Sequence, residues 1–468
     1  MKKLIVFTTI LAFAVLSAFA QVPGVRLFVT TADGIRVDRS ALVKEKAAAE
    51  STYTVDPAVR KQTMHGFGGA FNEQGWAALL SLGEKEREEV VRYLFSPEEA
   101  NLSWGRVPIG SSDYALERYT LAPLSGDFEM KSFSIARDRK YLIPYIKAAQ
   151  KYRPDLRLWG SAWSPPIWMK DNNDYEGGAF IDDARYYQAY ALYLARFAEE
   201  YANEGMPIRA VVVQNEPTVV TGYPNGGWKP RQFRVFIRDF AGPLFAERRL
   251  RTEIWLGTFN EGNYYSFTKE VLDDPEAKKY VKAVGLQWDG YKQIPMILKY
   301  HPGIPIIQTE TDCGNWHWLP GFDKDRAHND FAYAAHTWRR ACDYINAGAE
   351  VYILWNLVLD QEGKNIDKYR PWPQNSAIVV DTAKKTVTYT PMFRAIEHLS
   401  RYVPEGSRVL DSGGAKNVMA FETPSGSIVV TLMNDAQNVE TIGLRIGKRN
   451  FSLQLPAESF ATLIVESK

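Results

Sequence analysis

The sequence predicts an α/β architecture, a (β/α)8 TIM barrel joined to a β-sandwich domain built from both chain ends. Three observations carry that expectation. Eight short apolar runs alternate with amphipathic helical stretches through the middle of the chain, as a strand–helix repeat requires. The runs are continuously apolar rather than alternating, the pattern of parallel strands covered by helices. Toward the C-terminus the helical period gives way to short strand-like pieces separated by turn residues.

In chain order, residues 1–20 have the form of an export signal. Lys2 and Lys3 precede an apolar stretch, 4–16, and Ala18-Phe-Ala20 is a small-x-small cleavage site before Gln21. The stretch is short for a membrane span, and no cysteine follows the cleavage site. The expectation is a mature protein without a membrane anchor, secreted to a bacterial periplasm or the exterior. Residues 21–60 contain two strand candidates, 25–29 and 51–55, assigned to the sandwich. The barrel is expected over 61–398. Its strands are 63–69, 102–107, 156–162, 208–214, 253–258, 282–287, 304–309 and 351–355. Helices are expected at 85–94, 136–152, 183–203, 231–247, 289–300 and 329–347. The remainder, 399–468, holds strand candidates at 409–410, 418–421, 427–433, 440–444, 451–455 and 461–465. Ser412-Gly-Gly, Thr423-Pro-Ser-Gly and Asn434-Asp separate them. With no repeat and no low-complexity linker, the two parts are expected to pack rigidly.

Lys and Arg number 56 against 55 Asp and Glu, and no long basic block occurs. That balance excludes nucleic acid and anionic membrane as expected partners. Two cysteines in so long a chain, Cys313 and Cys342, are no disulfide framework. They read as free thiols, with a bridge between them as the alternative, and Cys313 is expected at the edge of a pocket beside Glu310.

Barrel enzymes build their sites where strands end at the carboxyl face. Two runs stop there on a glutamate: Val211-Val-Val-Gln-Asn-Glu-Pro217 and Ile304-Pro-Ile-Ile-Gln-Thr-Glu310. One such carboxylate alone is more often a helix cap or an ion-pair partner. Two on one face, with Asn215 before one and Pro217 after it, suit cleavage of a glycosidic bond: one protonates the leaving oxygen and the other attacks the sugar. Other strand ends supply Gly66-Phe-Gly-Gly-Ala-Phe71, Arg106-Val-Pro-Ile-Gly-Ser-Ser-Asp-Tyr114, Trp163-Ser-Pro-Pro-Ile-Trp168, Gln287-Trp288 and Trp355-Asn356. Trp163 and Trp355 fit the core and a sugar-stacking platform equally well. The Gly66–Gly69 run lacks the spacing of a nucleotide loop. His328 and His336 lack the spacing of a zinc helix and read as structural, and no G-x-S-x-G elbow is present. No metal and no cofactor are expected.

Taken together, Gly66-Phe-Gly-Gly-Ala-Phe71, Arg106-Val-Pro, Ser164-Pro-Pro-Ile-Trp168, Asn215-Glu-Pro217, Thr309-Glu310 and Leu354-Trp-Asn-Leu357 resemble glycoside hydrolase family 30. This is the family of lysosomal glucosylceramidase and microbial β-1,6-glucanases. The likeness runs from about residue 60 to the C-terminus in unbroken motif order. Gly285-Leu-Gln-Trp288, Gln308-Thr-Glu-Thr-Asp-Cys-Gly314 and Gln374-Asn-Ser-Ala-Ile-Val-Val-Asp381 look closest to the β-1,6-glucanase branch; glucosylceramidase has His-Trp where this chain has Gln287-Trp288. The resemblance implies net retention through a covalent glycosyl-enzyme, with Glu216 as acid/base and Glu310 as nucleophile. It implies that Asn215 holds the 2-hydroxyl of the attacked sugar and that Asp113, Trp163 and Trp355 line a glucose subsite. Arg106 would orient the carboxylates, and Gln287 and Trp288 join the substrate-binding set. The expected partner is an oligosaccharide or polysaccharide, β-1,6-glucan first. A glucosylceramidase or other exo-β-glycosidase (a β-glucosidase or β-xylosidase) is the alternative, and a carbohydrate-binding barrel without turnover is the reading from another class.

Overall fold

Eight parallel strands close on themselves, the last, Val351–Asn356, pairing back onto the first, Gly66–Ala70. Between them run Trp104–Pro108, Arg157–Ser161, Ile208–Val212, Glu253–Phe259, Val281–Gln287 and Ile306–Thr311, referred to below as strands two to seven. The computed structural model describes residues 21–46, 52–369 and 372–467. The expected export signal at 1–20 lies outside the described residues.

Strand one corrects the sequence reading. Thr63 closes an eleven-residue strand, Tyr53–Thr63, that belongs to the sandwich sheet and extends well beyond the expected 51–55. The barrel strand starts only at Gly66, whose φ of +127° turns the chain from one domain into the other. The join lies in a polar stretch, Arg60 to His65 broken only by Met64, which the expected strand at 63–69 entered three residues too early. Gly68 shows why the strand itself is glycine-rich: a Cβ there would stand 2.0 Å from the carbonyl oxygen of Trp104. Strands one and two can approach only if that side chain is missing.

The space this leaves inside the barrel is filled by three indoles, Trp104, Trp159 and Trp255, with Ala210, Val212 and Ala283 as small partners. Trp255 packs against Trp104 and Trp159 with ring centroids 6.0 and 5.7 Å apart. The barrel is therefore a solid plug, and whatever sits above it is pushed toward the carboxyl ends of the strands.

Outer helices form largely where the period predicts. Ala184–Asn203 and Phe331–Ala347 are capped by the carboxylates of Asp183 and Asp330. The expected helix at 136–152 is shorter, Leu142–Gln150, because 136–141 form turns around buried Asp138, which accepts the hydroxyls of Tyr119 and Tyr201. The expected helix at 231–247 contains a π-helical segment, Phe236–Ala241. Phe267–Leu272 and Pro275–Lys278 fill the connection between strands five and six. A three-stranded sheet, Val358–Asp360, Ile378–Asp381 and Thr386–Tyr389, follows strand eight. Neither of these was expected; both consist of pieces too short for periodicity to register.

The sandwich draws on both chain ends. Val25–Thr31 pairs antiparallel with Ser459–Val465 along its whole length, from Val25 opposite Val465 to Thr31 opposite Ser459. Tyr53–Thr63 joins Arg408–Asp411 on one side and Glu440–Ile446 on the other, which completes a ten-stranded sheet. Phe460 locks the sandwich to the barrel by packing on Phe331 and Trp338, with centroids 5.1 Å from each. No described helix is long and apolar enough to cross a membrane. Cys313 and Cys342 are buried and unpaired. Cys313 packs in the barrel's apolar core instead of lining a pocket edge.

At the same junction His398 is fully buried between the hydroxyls of Thr30 (2.9 Å) and Thr462 (2.7 Å). Burial, reinforced by Arg36 and Arg394, pushes its pKa down to about 3. The unfolded chain binds this proton below about pH 6.5 and the folded protein does not. The stability is complete above that pH and is lost as pH falls toward about 3, at up to ~1.4 kcal/mol per pH unit. Thermal unfolding between neutral pH and about pH 4 should show a smaller fall in Tm for His398→Gln than for the wild type. Parallel declines would show that His398 does not govern acid stability.

Candidate active site

Glu310 lies within strand seven, and Glu216 follows the end of strand four. Glu216 has a φ of +43° and Trp288, just past strand six, a φ of +50°. A side chain in this left-handed region costs about 1–3 kcal/mol and persists only where surrounding structure holds it. The Glu216 N–H is fixed by the carbonyl of Thr258 (3.2 Å), and the Asn215 N–H by that of Ala162 (2.7 Å). The strain turns both side chains up from the strand ends into one cavity.

One of the two carboxylates, Glu310, is held by a buried guanidinium. Arg106, on strand two, is completely buried. It donates to Glu310 Oε2 (2.7 Å), the Thr309 carbonyl (3.2 Å), Ser161 Oγ (3.1 Å) and Asn215 Oδ1 (2.6 Å). Asn215 Oδ1 also accepts from Thr258 Oγ1 (2.8 Å). With its oxygen so engaged, the amide is oriented, and its NH2 has no protein acceptor among the described residues apart from what the cavity would bring. The second oxygen of Glu310 accepts from Trp288 Nε1 (3.0 Å), and Glu216 Oε1 accepts from Gln287 Nε2 (2.9 Å). Gln287 is itself oriented by Thr309 Oγ1, 3.1 Å from its Oε1.

This asymmetry separates the two acids. Burial, and then the charge of Glu310, pushes Glu216 up to about 8, against the opposing pull of Gln287 and Arg106. Burial raises Glu310 too, but the Arg106 ion pair and the Trp288 N–H favour its charged form. Of the two, Glu310 is therefore the more readily ionised, and the proton is favoured on Glu216. Asp113 is raised well above the usual carboxylate range by burial and by Glu310, and its buried Oδ1 has no hydrogen-bond partner among the described residues.

Above the plug opens a cavity of about 700 Å³. Glu216, Glu310, Asn215, Asp113, Trp163, Trp355 and Trp288 all line it. Arg106 and Gln287 do not. Both are fully buried beneath the floor and reach the cavity only through the residues that line it, so their place is support and not direct contact with a ligand. Trp163 and Trp355 stack on one another at 5.0 Å and 23°, with the Arg106 guanidinium 4.4 and 5.2 Å from their rings. They are 2% and 5% exposed, yet form part of the cavity wall. The alternatives of core and platform therefore describe two faces of the same rings.

Several lining residues escaped the sequence reading. Trp316 and Trp318 stack nearly parallel, at 5.1 Å and 5°, and Trp316 packs on Trp288 at 4.9 Å. Tyr223 and Trp372 add a further edge contact at 6.0 Å. The signal available was the Trp316-His-Trp318 run soon after Glu310, in a chain with thirteen tryptophans. His336, read as structural, lines the cavity in close contact with Asp312, which Arg340 also approaches at 3.4 Å. His328 instead bonds Asn375 and the Gln361 carbonyl outside this cavity. Among the described residues no three His, Cys, Asp or Glu side chains are grouped as metal ligands. The arrangement can offer a proton from Glu216 and a nucleophilic carboxylate from Glu310 to one substrate held in a polar, aromatic-walled cavity.

Comparison with known proteins gives the same direction. The family model described as the glycosyl hydrolase family 30 TIM-barrel domain matches residues 64–403, and that of the family 30 beta sandwich domain matches 406–463. Putative glucosylceramidase 1 of Caenorhabditis elegans is 29% identical, over 94% of this chain and 88% of that protein. Lysosomal acid glucosylceramidase of Mus musculus is 28% identical, over 86% and 82%. Endo-1,6-beta-D-glucanase neg1 of Aspergillus fumigatus is 24% identical, over 90% and 89%. Among solved structures, SrfJ from Salmonella typhimurium superposes with a TM-score of 0.85 at 24% identity, over 95% of this chain and all of that one. The endo-beta1,6-glucanase BT3312 does so at 0.81 and 22%, over 95% and 99%. At these identities the two structures speak for the fold alone.

Infrared difference titration, with Glu216→Gln as the subtracted reference, should reveal a protonated carboxyl that ionises near pH 8. Gln287→Met removes a donor to the charged form and should move that ionisation to higher pH. A Glu216 already ionised at about pH 5, near its unperturbed value, would contradict the assignment.

Proposed function

The chain belongs to glycosyl hydrolase family 30, and from that premise we propose that it is an exported, retaining β-glucosidic hydrolase acting on β-1,6-linked glucan. Glycoside hydrolysis itself follows from family membership. The observation that carries the mechanistic reading is the difference in partners between the two buried glutamates: Glu216 accepts from the neutral amide of Gln287, and Glu310 is paired with the Arg106 guanidinium.

In the first step the Glu310 carboxylate attacks the anomeric carbon. Glu216 gives its proton to the glycosidic oxygen as the bond to the leaving group breaks. The sugar is then esterified to Glu310, whose charge has gone. The repulsion that helped hold the proton on Glu216 disappears with it, so Glu216 becomes a stronger acid and remains ionised as a base. It takes a proton from water, the oxygen attacks the anomeric carbon, and Glu310 is released with net retention. Asn215, its amide oriented by Arg106 and Thr258, holds the 2-hydroxyl; Asp113, Trp163 and Trp355 complete the glucose subsite.

The linkage rests on the Gln287-Trp288 and 308–314 segments and on the fungal endo-1,6-glucanase relative, which aligns along most of its length. A glucosylceramidase or another exo-β-glycosidase is the second reading, favoured by the 28–29% identity to proteins of that description. Export rests on the form of residues 1–20. Against a binding barrel without turnover stands the presence of both glutamates, each with its own donors.

A panel of β-1,6-, β-1,3- and β-1,4-glucans, glucosylceramide and aryl glucosides should show preference for the β-1,6 polymer. Release of sugar from xylan with none from β-1,6-glucan would overturn the substrate. A slow 2-fluoro-glucoside with an activated leaving group should label one peptide, at Glu310. Labelling at Glu216, or no covalent adduct despite turnover, would overturn the assigned roles.

A further inference from the structure

Four loops at the carboxyl end of the barrel meet in an ion cluster that the chemistry above does not use. Lys170, 2% exposed, donates to the carbonyls of Tyr175 (3.0 Å), Gly177 (2.9 Å) and Asn225 (2.6 Å). Three backbone acceptors fill the capacity of an ammonium and tie the loop after strand three to the loop after strand four. The same turn carries Glu176, a buried carboxylate that bridges cations from two further loops. Arg118, after strand two, is in close contact with one oxygen, and Lys368, after strand eight, lies 2.6 Å from the other.

Arg118 then reaches further. Its Nη2 donates to the carbonyls of Gly222 (2.7 Å) and Ile366 (2.8 Å), so one guanidinium holds a carboxylate and the backbones of two cavity loops. Those loops also bind each other directly: the Gly222 N–H donates to Asp367 Oδ2 (3.0 Å) and the Lys368 N–H to the Gly222 carbonyl (2.9 Å). The approach is so close that a Cβ on Gly222 would meet Asp367 Oδ1 at 2.4 Å. From there the chain continues to the site, the Ile366 N–H bonding the carbonyl of Asp113 (2.8 Å).

Gly222, Tyr223, Asp367 and Tyr369 line the cavity, whereas Arg118 and Glu176 lie behind that wall. The wall is built by the segment that follows Glu216, and its Tyr223 packs with Trp163 and Trp355, so it borders the glucose subsite. We infer that Arg118 and Glu176 are positioning residues that set the width of the cavity there, and so select among substrates without touching the bond that breaks. The inference rests on the glucose subsite and the acid/base role given to Glu216 under Proposed function. A lysine replaces Arg118 only in part, because its single nitrogen cannot stand both where Nε meets the Glu176 carboxylate and where Nη2 meets the two carbonyls.

The test compares 4-nitrophenyl β-glucoside with a β-1,6-linked glucose trisaccharide in the wild type, Arg118→Met, Arg118→Lys and Glu176→Gln, alongside hydrogen exchange and thermal melting. In Arg118→Met and Glu176→Gln the ratio of kcat/KM should shift about tenfold toward the aryl glucoside, the size of one lost charge-assisted hydrogen bond. Arg118→Lys should fall between. Exchange protection should drop at 218–227 and 363–369 ahead of the remaining barrel. A lowered Tm with an unmoved ratio would make the cluster merely structural and overturn the inference. If the wild type cleaves neither substrate, the proposed activity fails. The positioning claim is then judged on exchange alone, and unchanged protection at both loops overturns it.

Discussion

Arg106 brings a full positive charge into the packed interior of the barrel, where an isolated charge would cost several kcal/mol after relaxation. The barrel compensates it on every side. Glu310 supplies the opposite charge, Asn215, Ser161 and the Thr309 carbonyl accept its remaining hydrogens, and Trp159, Trp163 and Trp355 surround its faces. Its Nε hydrogen alone lacks a polar acceptor among the described residues. Removing Arg106 would leave Glu310 buried and unpaired. Because the same group fixes the amide of Asn215, the nucleophile and the adjoining sugar contact share one anchor. That anchor rests directly on the Trp plug, so the rigidity of the barrel core is transmitted to the site.

The second constraint is electrostatic. Two buried carboxylates in one cavity cannot both ionise cheaply, and the sharing is decided by their neighbours and not by residue type. Glu310 has Arg106 and the Trp288 indole; Glu216 has only the neutral amide of Gln287. The left-handed backbone at Glu216 and Trp288 is the local expense of aiming these groups. Both residues follow buried strands whose hydrogen-bonded ladders hold the strain in place.

Much of this was legible in the chain before any coordinates. Continuous apolar runs gave the eight strands because a parallel sheet is covered on its outer face, and the glutamates, Arg106, Trp163 and Trp355 are visible at the points where those runs stop. The error at strand one has a physical cause: the sandwich strand runs on to Thr63, leaving only Met64 and His65 before the barrel strand, and the positive φ of Gly66 divides the two. Trp316, Trp318, Tyr223 and Trp372 were missed because long loops carry no period, so nothing in the sequence says which way they fold. The Arg118–Glu176–Lys368 cluster was invisible for a related reason. Its members come from three loops far apart in sequence, and their meeting is a property of the barrel's closure.

The division of labour between the glutamates is tested most directly by chemical rescue. Glu216→Ala should still be glycosylated by an aryl glucoside whose leaving group departs without a proton, and should then stall for want of a base. Azide needs no base, so adding it should accelerate turnover and yield the β-glucosyl azide, while Glu310→Ala stays inert on the same substrate. An α-glucosyl azide, or rescue of Glu310→Ala in place of Glu216→Ala, would contradict the assignment of a protonated Glu216 and an ionised Glu310 held by Arg106.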